Sequence, residues 1–137
     1  MTAIYGLLGE HLSHSYSKQI HEALADYTYE LIELSKEEVK EFMTAKDFAA
    51  VNVTIPYKRE VIPYLDELDA RAKSIGAVNT VVNRNGKLYG YNTDFGGMRM
   101  LILRSGFDYN GKKVLVLGTG GTSKTAVCVA ESLGAKQ

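Results

Sequence analysis

The chain has 137 residues, of which 45% are hydrophobic and 23% are charged, a composition typical of a globular protein that can bury a core. Its 16 basic side chains balance 16 acidic ones, so no net charge favours binding to nucleic acid or to an anionic membrane surface. The single cysteine, Cys128, excludes an internal disulfide and a cysteine-rich metal site, and it fits a reducing compartment.

Strands and helices alternate along the chain. The first 18 residues lack a basic leader with a sustained apolar stretch, and no later segment approaches the roughly 20 apolar residues of a membrane span. We therefore expect a cytoplasmic protein without a membrane partner.

The predicted strands are AIYGLLG (3–9), YELIEL (29–34), FAAVNVTI (48–55), AVNTVV (77–82), KLYGYN (87–92) and KVLVLG (113–118). The predicted helices are KQIHEALADY (18–27), SKEEVKEFM (35–43), YKREVI (57–62), PYLDELDARAKSIG (63–76), FGGMRMLILRSG (95–106) and TAVCVAESL (125–133).

Local signals support two of these elements, and the alternation supports a fold class. Ser35 and Glu38 form the S-x-x-E pattern of a helix capping box, and NRNG between two strands is a hairpin signal. Strands that alternate with helices predict an α/β fold with a mainly parallel sheet flanked by helices, because parallel neighbours need helical crossovers. We place a domain boundary after residue 103, so that residues 104–137 begin a second, incomplete unit.

A glycine-rich turn, GTGGTS (118–123), follows an apolar strand and precedes a helix. In a dinucleotide-binding turn, glycines permit the tight bend and let backbone N–H groups approach a pyrophosphate at the helix N-terminus. A glycine turn without a ligand is the alternative. The acidic or basic residue that distinguishes NAD from NADP is expected about 20 residues further on, beyond Gln137. The candidate nucleotide-binding residues are Gly118, Gly120, Gly121, Thr122 and Ser123.

Four polar clusters interrupt segments that are otherwise predicted to be packed elements. Each cluster has a local alternative: Ser15 or Ser17 could cap the following helix, Thr93 or Asp94 could cap the helix near Phe95, and an asparagine could brace a loop. The clusters are Ser15 with Ser17, then Asn52 with Thr54 and Lys58, then Asn79 with Thr80, and finally Asn92 with Thr93 and Asp94.

Lys58 has no local explanation. It is predicted near the start of a helix, where the partial positive charge of the helix N-terminus disfavours a cation. No carboxylate lies three or four positions away to form an ion pair, since Thr54, Ile55, Val61 and Ile62 occupy those positions. Lys58 is therefore a candidate acid/base.

Taken in order, these stretches resemble the shikimate dehydrogenase family. The family pattern is a serine pair near the N-terminus, N-V-T-x-P-x-K, G-A-x-N-T, N-T-D and a G-x-G-G turn. This chain has Ser15 and Ser17, NVTIPYK, GAVNT, YNTD and GTGG in the same order. The resemblance implies a shikimate-binding catalytic domain over residues 1–103 and the start of an NADP-binding Rossmann domain over residues 104–137.

The resemblance also implies an activity and residue roles. The family catalyses the reversible, NADP-dependent reduction of 3-dehydroshikimate to shikimate in aromatic amino-acid biosynthesis. Lys58 would be the catalytic lysine, paired with Asp94. The serine pair would bind the substrate carboxylate, and ring hydroxyls would be held by Thr54, Asn79 and Asp94. Two positions depart from many relatives: Lys18 stands for a proline and Phe95 for a glycine.

Two other functions are considered. The first is a non-catalytic module that binds shikimate or quinate, although Ser17 favours shikimate. The second is a different two-domain dehydrogenase, such as a folate-linked enzyme, which the serine pair and NVTIPYK disfavour. No metal site is predicted from His11, His14 and His21, whose spacing fits none. We expect that KVLVLG and TAVCVAESL lack their normal neighbours in this chain, which would leave apolar surface and a strand edge exposed. Such a segment would self-associate, repack or become disordered.

Overall fold

The computed structural model describes residues 3–137, which form one mixed sheet covered by helices. The strands are β1 (Tyr5–Gly9), β2 (Tyr29–Glu33), β3 (Ala50–Val53), β4 (Glu67–Leu68), β5 (Thr80–Arg84) and β6 (Lys87–Tyr91). The helices are α1 (Ser17–Leu24), α2 (Lys36–Ala45), α3 (Ala70–Ile75), α4 (Asp94–Ser105) and α5 (Gly121–Ser132), with a 3₁₀ turn at Ile62–Tyr64. No helix in residues 3–137 is long and apolar enough to cross a bilayer.

The six strands are ordered β2-β1-β3-β5-β6-β4. Strand β1 is parallel to both β2 and β3, and β4 is parallel to β6. Strands β3 and β5 are antiparallel, as are β5 and β6. The α/β class is confirmed, and the sheet is mixed because the hairpin between β5 and β6 reverses the chain without a crossover.

Two local predictions are confirmed by the backbone. The capping box at the start of α2 is present, with the Ser35 N–H donating to Glu38 Oε2 at 2.8 Å. The hairpin turn has positive φ at Asn85 (54°) and Gly86 (82°), as a type I′ turn requires. Both features depend only on residues close in sequence, which explains why the sequence predicts them.

The helices predicted for residues 57–76 are largely wrong. Residues 57–61 form turns, and β4 occupies Glu67–Leu68, so that only α3 remains as an α-helix. Asp66 explains the change, because its N–H donates to the Leu88 carbonyl (2.9 Å) and its Oδ2 accepts from the Leu88 N–H (2.8 Å). These bonds dock the segment on β6. Helix α3 then begins after Asp69, whose Oδ1 accepts from the Ala72 N–H at 2.7 Å.

The strand predicted over residues 113–118 is absent from the described structure, while the following helix is present. Leu115 and Leu117 are 83% and 87% exposed, because no strand lies alongside them to complete a ladder. Helix α5 packs against other helices of the chain. Its buried Val129 packs with Phe95 of α4 and Ile75 of α3, in a cluster separate from the main core under the sheet.

Candidate active site

The sheet topology places all four polar clusters at one end of the strands, which is called the site edge of the sheet. Ser15 and Ser17 follow β1, while Thr54 and Lys58 follow its parallel neighbour β3. Asn79 precedes β5, which runs antiparallel to β3, so that the start of β5 lies at the same edge. Strand β6 reverses direction again and brings residues 92–94 to that edge too. Clusters that are distant in sequence therefore surround one end of the sheet.

Lys58 and Asp94 form an ion pair at this edge. Lys58 Nζ donates to Asp94 Oδ2 at 2.5 Å, and the two side chains are 14% and 34% exposed. The lysine backbone is fixed as well, since its carbonyl accepts from the Val78 N–H at 2.7 Å. Charge-assisted hydrogen bonds of this kind are short and directional. The ammonium is thus held in one direction, with part of its surface still open to a ligand.

Our expectation that Lys58 lies near the start of a helix is wrong, because residues 57–61 form turns. The helix N-terminus that lies beside the lysine belongs to α5. A Cβ on Gly121 would be only 3.2 Å from the Lys58 Cβ, so glycine permits this close approach. Lys58 Nζ also reaches Thr122 Oγ1 at 3.5 Å. The glycine-rich turn and the lysine are therefore in contact.

Asn79 is buried beside the ion pair and is bonded to the residue that precedes Asp94. Its Nδ2 donates to Thr93 Oγ1, and its Oδ1 accepts from the Thr93 N–H, both at 2.8 Å. Asn79 is only 8% exposed. The asparagine therefore braces the 92–94 segment, as its local alternative supposed, and this bracing leaves one of its N–H groups for a ligand.

Asn92, which the sequence did not single out as a site residue, fixes the start of α4. Its Oδ1 accepts from the Phe95 N–H at 3.1 Å, and its Nδ2 donates to the Ala77 carbonyl at 3.0 Å. Neither Thr93 nor Asp94 supplies a side-chain cap, so that alternative is wrong. Because Asn92 bonds to the helix start, the Asp94 carboxylate is free to bind Lys58.

The serine pair and Thr54 line the loops that follow β1 and β3. Ser15 Oγ accepts from the Ser17 N–H at 3.1 Å, a local bond at the first residue of α1. Within residues 3–137, Ser17 and Thr54 make no side-chain hydrogen bonds, and both residues are half-buried. Their hydroxyls are available to a ligand, whereas Ser15 has one lone pair occupied by the helix start.

Lys18 and Phe95, the two departures from the family pattern, have structural roles away from the ion pair. Lys18 Nζ donates to the Tyr29 carbonyl at 2.6 Å and to Glu22 Oε1 at 2.7 Å, which ties α1 to β2. Phe95 is 6% exposed and lies under the Arg71 guanidinium, 3.6 Å from the ring centroid. Its ring therefore fills the core between α3, α4 and α5.

The glycine-rich turn leads directly into the N-terminus of α5. Gly118 has a φ of 130°, in the region that favours glycine, and Gly120 directly precedes α5. Ser123 Oγ donates to the Gly120 carbonyl at 2.6 Å and closes the turn. A cleft of about 790 Å³ separates this turn from residues 55–63, and Lys58 and Thr122 line it. The residues present thus fit a dinucleotide bound at the N-terminus of α5.

No group of histidine, cysteine and carboxylate side chains in residues 3–137 could hold a metal ion. His11 and His14 are exposed, and His21 stacks on Tyr29 with ring centroids 4.0 Å apart. Cys128 is half-buried against the cluster formed by α3, α4 and α5. These residues therefore have packing or surface roles.

Comparison with known proteins gives consistent matches. Residues 7–81 match the family model described as the shikimate dehydrogenase substrate binding domain. The chain is 43% identical over 145 residues to shikimate dehydrogenase (NADP(+)) of Halothermothrix orenii, which covers 99% of this chain and 50% of the relative. It is 45% identical over 141 residues to the pentafunctional AROM polypeptide of Schizosaccharomyces japonicus, covering 95% of this chain and 9% of that protein.

Solved structures are similar over the same length. The crystal structure of shikimate dehydrogenase 1 from Peptoclostridium difficile matches with a TM-score of 0.94 and 39% identity, covering 99% of this chain and 53% of that one. Shikimate dehydrogenase from Thermus thermophilus, in complex with NADP(H) and shikimate, matches with a TM-score of 0.87 and 30% identity, covering 98% of this chain and 54% of that one. The chain spans about half the length of the curated shikimate dehydrogenases that it matches.

Proposed function

The chain belongs to the shikimate dehydrogenase substrate-binding domain family, and on that premise we propose that it binds shikimate and 3-dehydroshikimate and contributes the catalytic lysine to their NADP-dependent interconversion. The observation that carries this proposal is the Lys58–Asp94 ion pair, whose lysine also contacts the glycine-rich turn through Thr122. Residues 1–103 would form the substrate-binding domain, and residues 104–137 would begin the nucleotide-binding one.

The chemistry follows from what the reaction needs. A ketone that takes up a hydride needs a proton for the alkoxide that forms, and the reverse reaction needs a base for the hydroxyl. Gly118, Gly120, Gly121, Thr122 and Ser123 would hold NADP, which would supply or accept the hydride. The Lys58 ammonium would donate the proton, and the Asp94 carboxylate would hold that ammonium in place.

The remaining polar groups would orient the substrate. Ser15 and Ser17 would bind its carboxylate, and Thr54 and Asn79 would contact ring hydroxyls, together with Asp94. Holding a substrate at several points around its ring fixes the reacting carbon, and such orientation can account for a large part of a rate enhancement. The cytoplasmic location expected from the sequence stays part of this proposal, as does self-association through the exposed leucines of residues 113–118.

Calorimetric titration with shikimate tests the binding half of the proposal. We expect saturable binding to the unaltered chain, loss of binding in Asp94→Ala, and retention in Asp108→Ala, which changes an exposed aspartate away from the site. Absence of saturable heat at millimolar shikimate would overturn the proposal. Formation of NADPH from NADP⁺ and shikimate tests the catalytic half.

A non-catalytic shikimate- or quinate-binding module is the second candidate. It is favoured by the lack of a strand over residues 113–118, since a dinucleotide site normally sits at the end of such a strand. Shikimate binding without NADPH formation in a full-length protein would select this candidate, and quinate titrated in parallel would define the ligand.

A further inference from the structure

Tyr29 of β2 is held rigidly although it lies on the edge strand of the sheet. It is 2% exposed, and its ring stacks on His21 with an interplanar angle of 13°. Its N–H donates to Glu22 Oε1 at 3.0 Å, and its carbonyl accepts from Lys18 Nζ at 2.6 Å. The backbone, the ring face and therefore the direction of the hydroxyl are all fixed by residues of α1.

The relay, a line of hydrogen bonds through Tyr29, Asn52, Thr80, Asn79 and Thr93, runs from this hydroxyl towards the ion pair. Tyr29 Oη donates to Asn52 Oδ1 at 2.7 Å, and Asn52 Nδ2 donates to Thr80 Oγ1 at 3.2 Å. Thr80 Oγ1 donates to Asn79 Oδ1 at 3.2 Å, and Asn79 Nδ2 donates to Thr93 Oγ1 at 2.8 Å. Every group donates in the same direction, from Tyr29 on the edge strand β2 to Thr93, the residue that precedes Asp94.

The Thr93 backbone N–H can only donate, and this sets the direction of donation along the whole line of hydrogen bonds. The Thr93 backbone N–H bonds to Asn79 Oδ1, so that oxygen must face Thr93. Thr80 can then only donate to the same oxygen, and it must itself accept from the Asn52 amide nitrogen. The Asn52 oxygen is left facing Tyr29. Burial raises the pKa of the Tyr29 hydroxyl, which therefore stays protonated and able to donate at neutral and mildly alkaline pH.

Counting lone pairs and protons shows what Asn79 can offer. Its Oδ1 accepts two hydrogen bonds, from Thr80 and from the Thr93 N–H, and an amide oxygen has two lone pairs. Its Nδ2 uses one of two protons on Thr93 Oγ1. A single N–H therefore remains, and no acceptor remains.

We propose that Tyr29 is a positioning residue which acts through Asn52 and Thr80 to hold the Asn79 amide in the orientation that presents one N–H donor, and no acceptor, to the ligand. Asn79 would then select an oxygen acceptor on the substrate ring. This inference rests on the proposed function, because it names how one residue of that site recognises the same ligand.

Shikimate affinity, measured by calorimetry, tests the proposal with three variants. Tyr29→Phe removes one oxygen and leaves Asn52 Oδ1 without its donor, so we expect affinity to fall about three- to tenfold. Asn52→Asp replaces the donor to Thr80 by an acceptor, which draws the Thr80 proton away from Asn79, so we expect a larger loss. Tyr64→Phe is the matched control, because Tyr64 is half-buried against the main core and its hydroxyl makes no hydrogen bond within residues 3–137. Its affinity should stay within twofold.

A ligand-free measurement separates positioning from a general loss of structure. The side-chain amide resonances of Asn79, assigned by their disappearance in Asn79→Asp, should shift in Tyr29→Phe and Asn52→Asp and stay in place in Tyr64→Phe. Unchanged Asn79 resonances together with unchanged shikimate affinity in Tyr29→Phe and Asn52→Asp would show that Tyr29 does not position Asn79. The proposed function would then still stand. If the unaltered chain fails to bind shikimate, the proposed function fails, and the amide resonances alone decide the relay.

Discussion

Asn92 joins three elements, and its replacement gives a prediction whose magnitude follows from the structure. The side chain is 7% exposed and bonds to the Phe95 N–H and the Ala77 carbonyl. A third, longer bond of 3.4 Å reaches Thr125 Oγ1 on α5. Asn92→Ala removes all three bonds at once and leaves a buried carbonyl without a partner.

The expected loss is large for a single substitution. Losing the acceptor at a helix start costs about 1 kcal/mol, and leaving a buried polar group unsatisfied costs about 1–3 kcal/mol. We therefore expect Asn92→Ala to lower the free energy of unfolding by about 2–4 kcal/mol, which corresponds to a fall in Tm of about 6–14 °C for a chain of this size. Asn92→Asp keeps the acceptor for the Phe95 N–H, so it should recover only the free energy of about 1 kcal/mol that is assigned to the helix start.

Urea unfolding followed by circular dichroism measures this loss. Asn110→Ala is the matched control, because Asn110 is exposed and its side chain makes no hydrogen bond within residues 3–137. Its free energy of unfolding should change by less than about 0.5 kcal/mol. A similarly small change in Asn92→Ala would refute the reasoning, since it would mean that the three bonds contribute no net stability.

Three further predictions concern catalysis, pH and association. Placed in a full-length protein, Lys58→Ala should lower the turnover of NADP-dependent shikimate oxidation by about 10²–10⁴-fold while shikimate still binds; near-normal turnover would remove the lysine from the mechanism. The Leu88 N–H holds the pKa of the Asp66 carboxyl below its ordinary value of 3.8, so this carboxylate stabilises the fold above that pH and the contribution is lost as the pH falls through the lowered value. Asp66→Asn should therefore flatten the acid limb of unfolding free energy against pH, and an unchanged limb would contradict this. Replacing Leu115 and Leu117 together by glutamate should reduce the mass measured by sedimentation equilibrium and leave Tm unchanged, since both side chains are exposed; an unchanged mass for a protein that self-associates would exclude this surface.

The parts of the fold that the sequence predicts well are those that local chemistry determines. The capping box of Ser35 and Glu38 and the turn at Asn85–Gly86 each involve residues at most three apart. The turns at residues 57–61 could not be predicted in this way. They depend on contacts such as the bond from the Val78 N–H to the Lys58 carbonyl, whose partners lie 20 positions apart.

The candidate site shows the same division. Motif order predicted Lys58, Asn79 and Asp94 as site residues, yet the contact of Tyr29 with Asn52 depends on β1 lying between β2 and β3 in the sheet. One signal for the relay was present in the sequence. Asn52 lies between two buried valines in a strand, a position where a polar side chain needs a specific partner. The identity of that partner, 23 residues away, requires the tertiary structure.

The contact between Lys58 and Thr122 makes the lysine a natural reporter of both ligands. Its ammonium lies between the Asp94 carboxylate on one side and the first turn of α5 on the other. A substrate bound against the carboxylate, or a nucleotide bound at the turn, would each shield that amine from an acylating reagent. Footprinting of lysines by mass spectrometry, with the exposed Lys36 as an internal reference, would therefore report from a single peptide whether either proposed site is occupied.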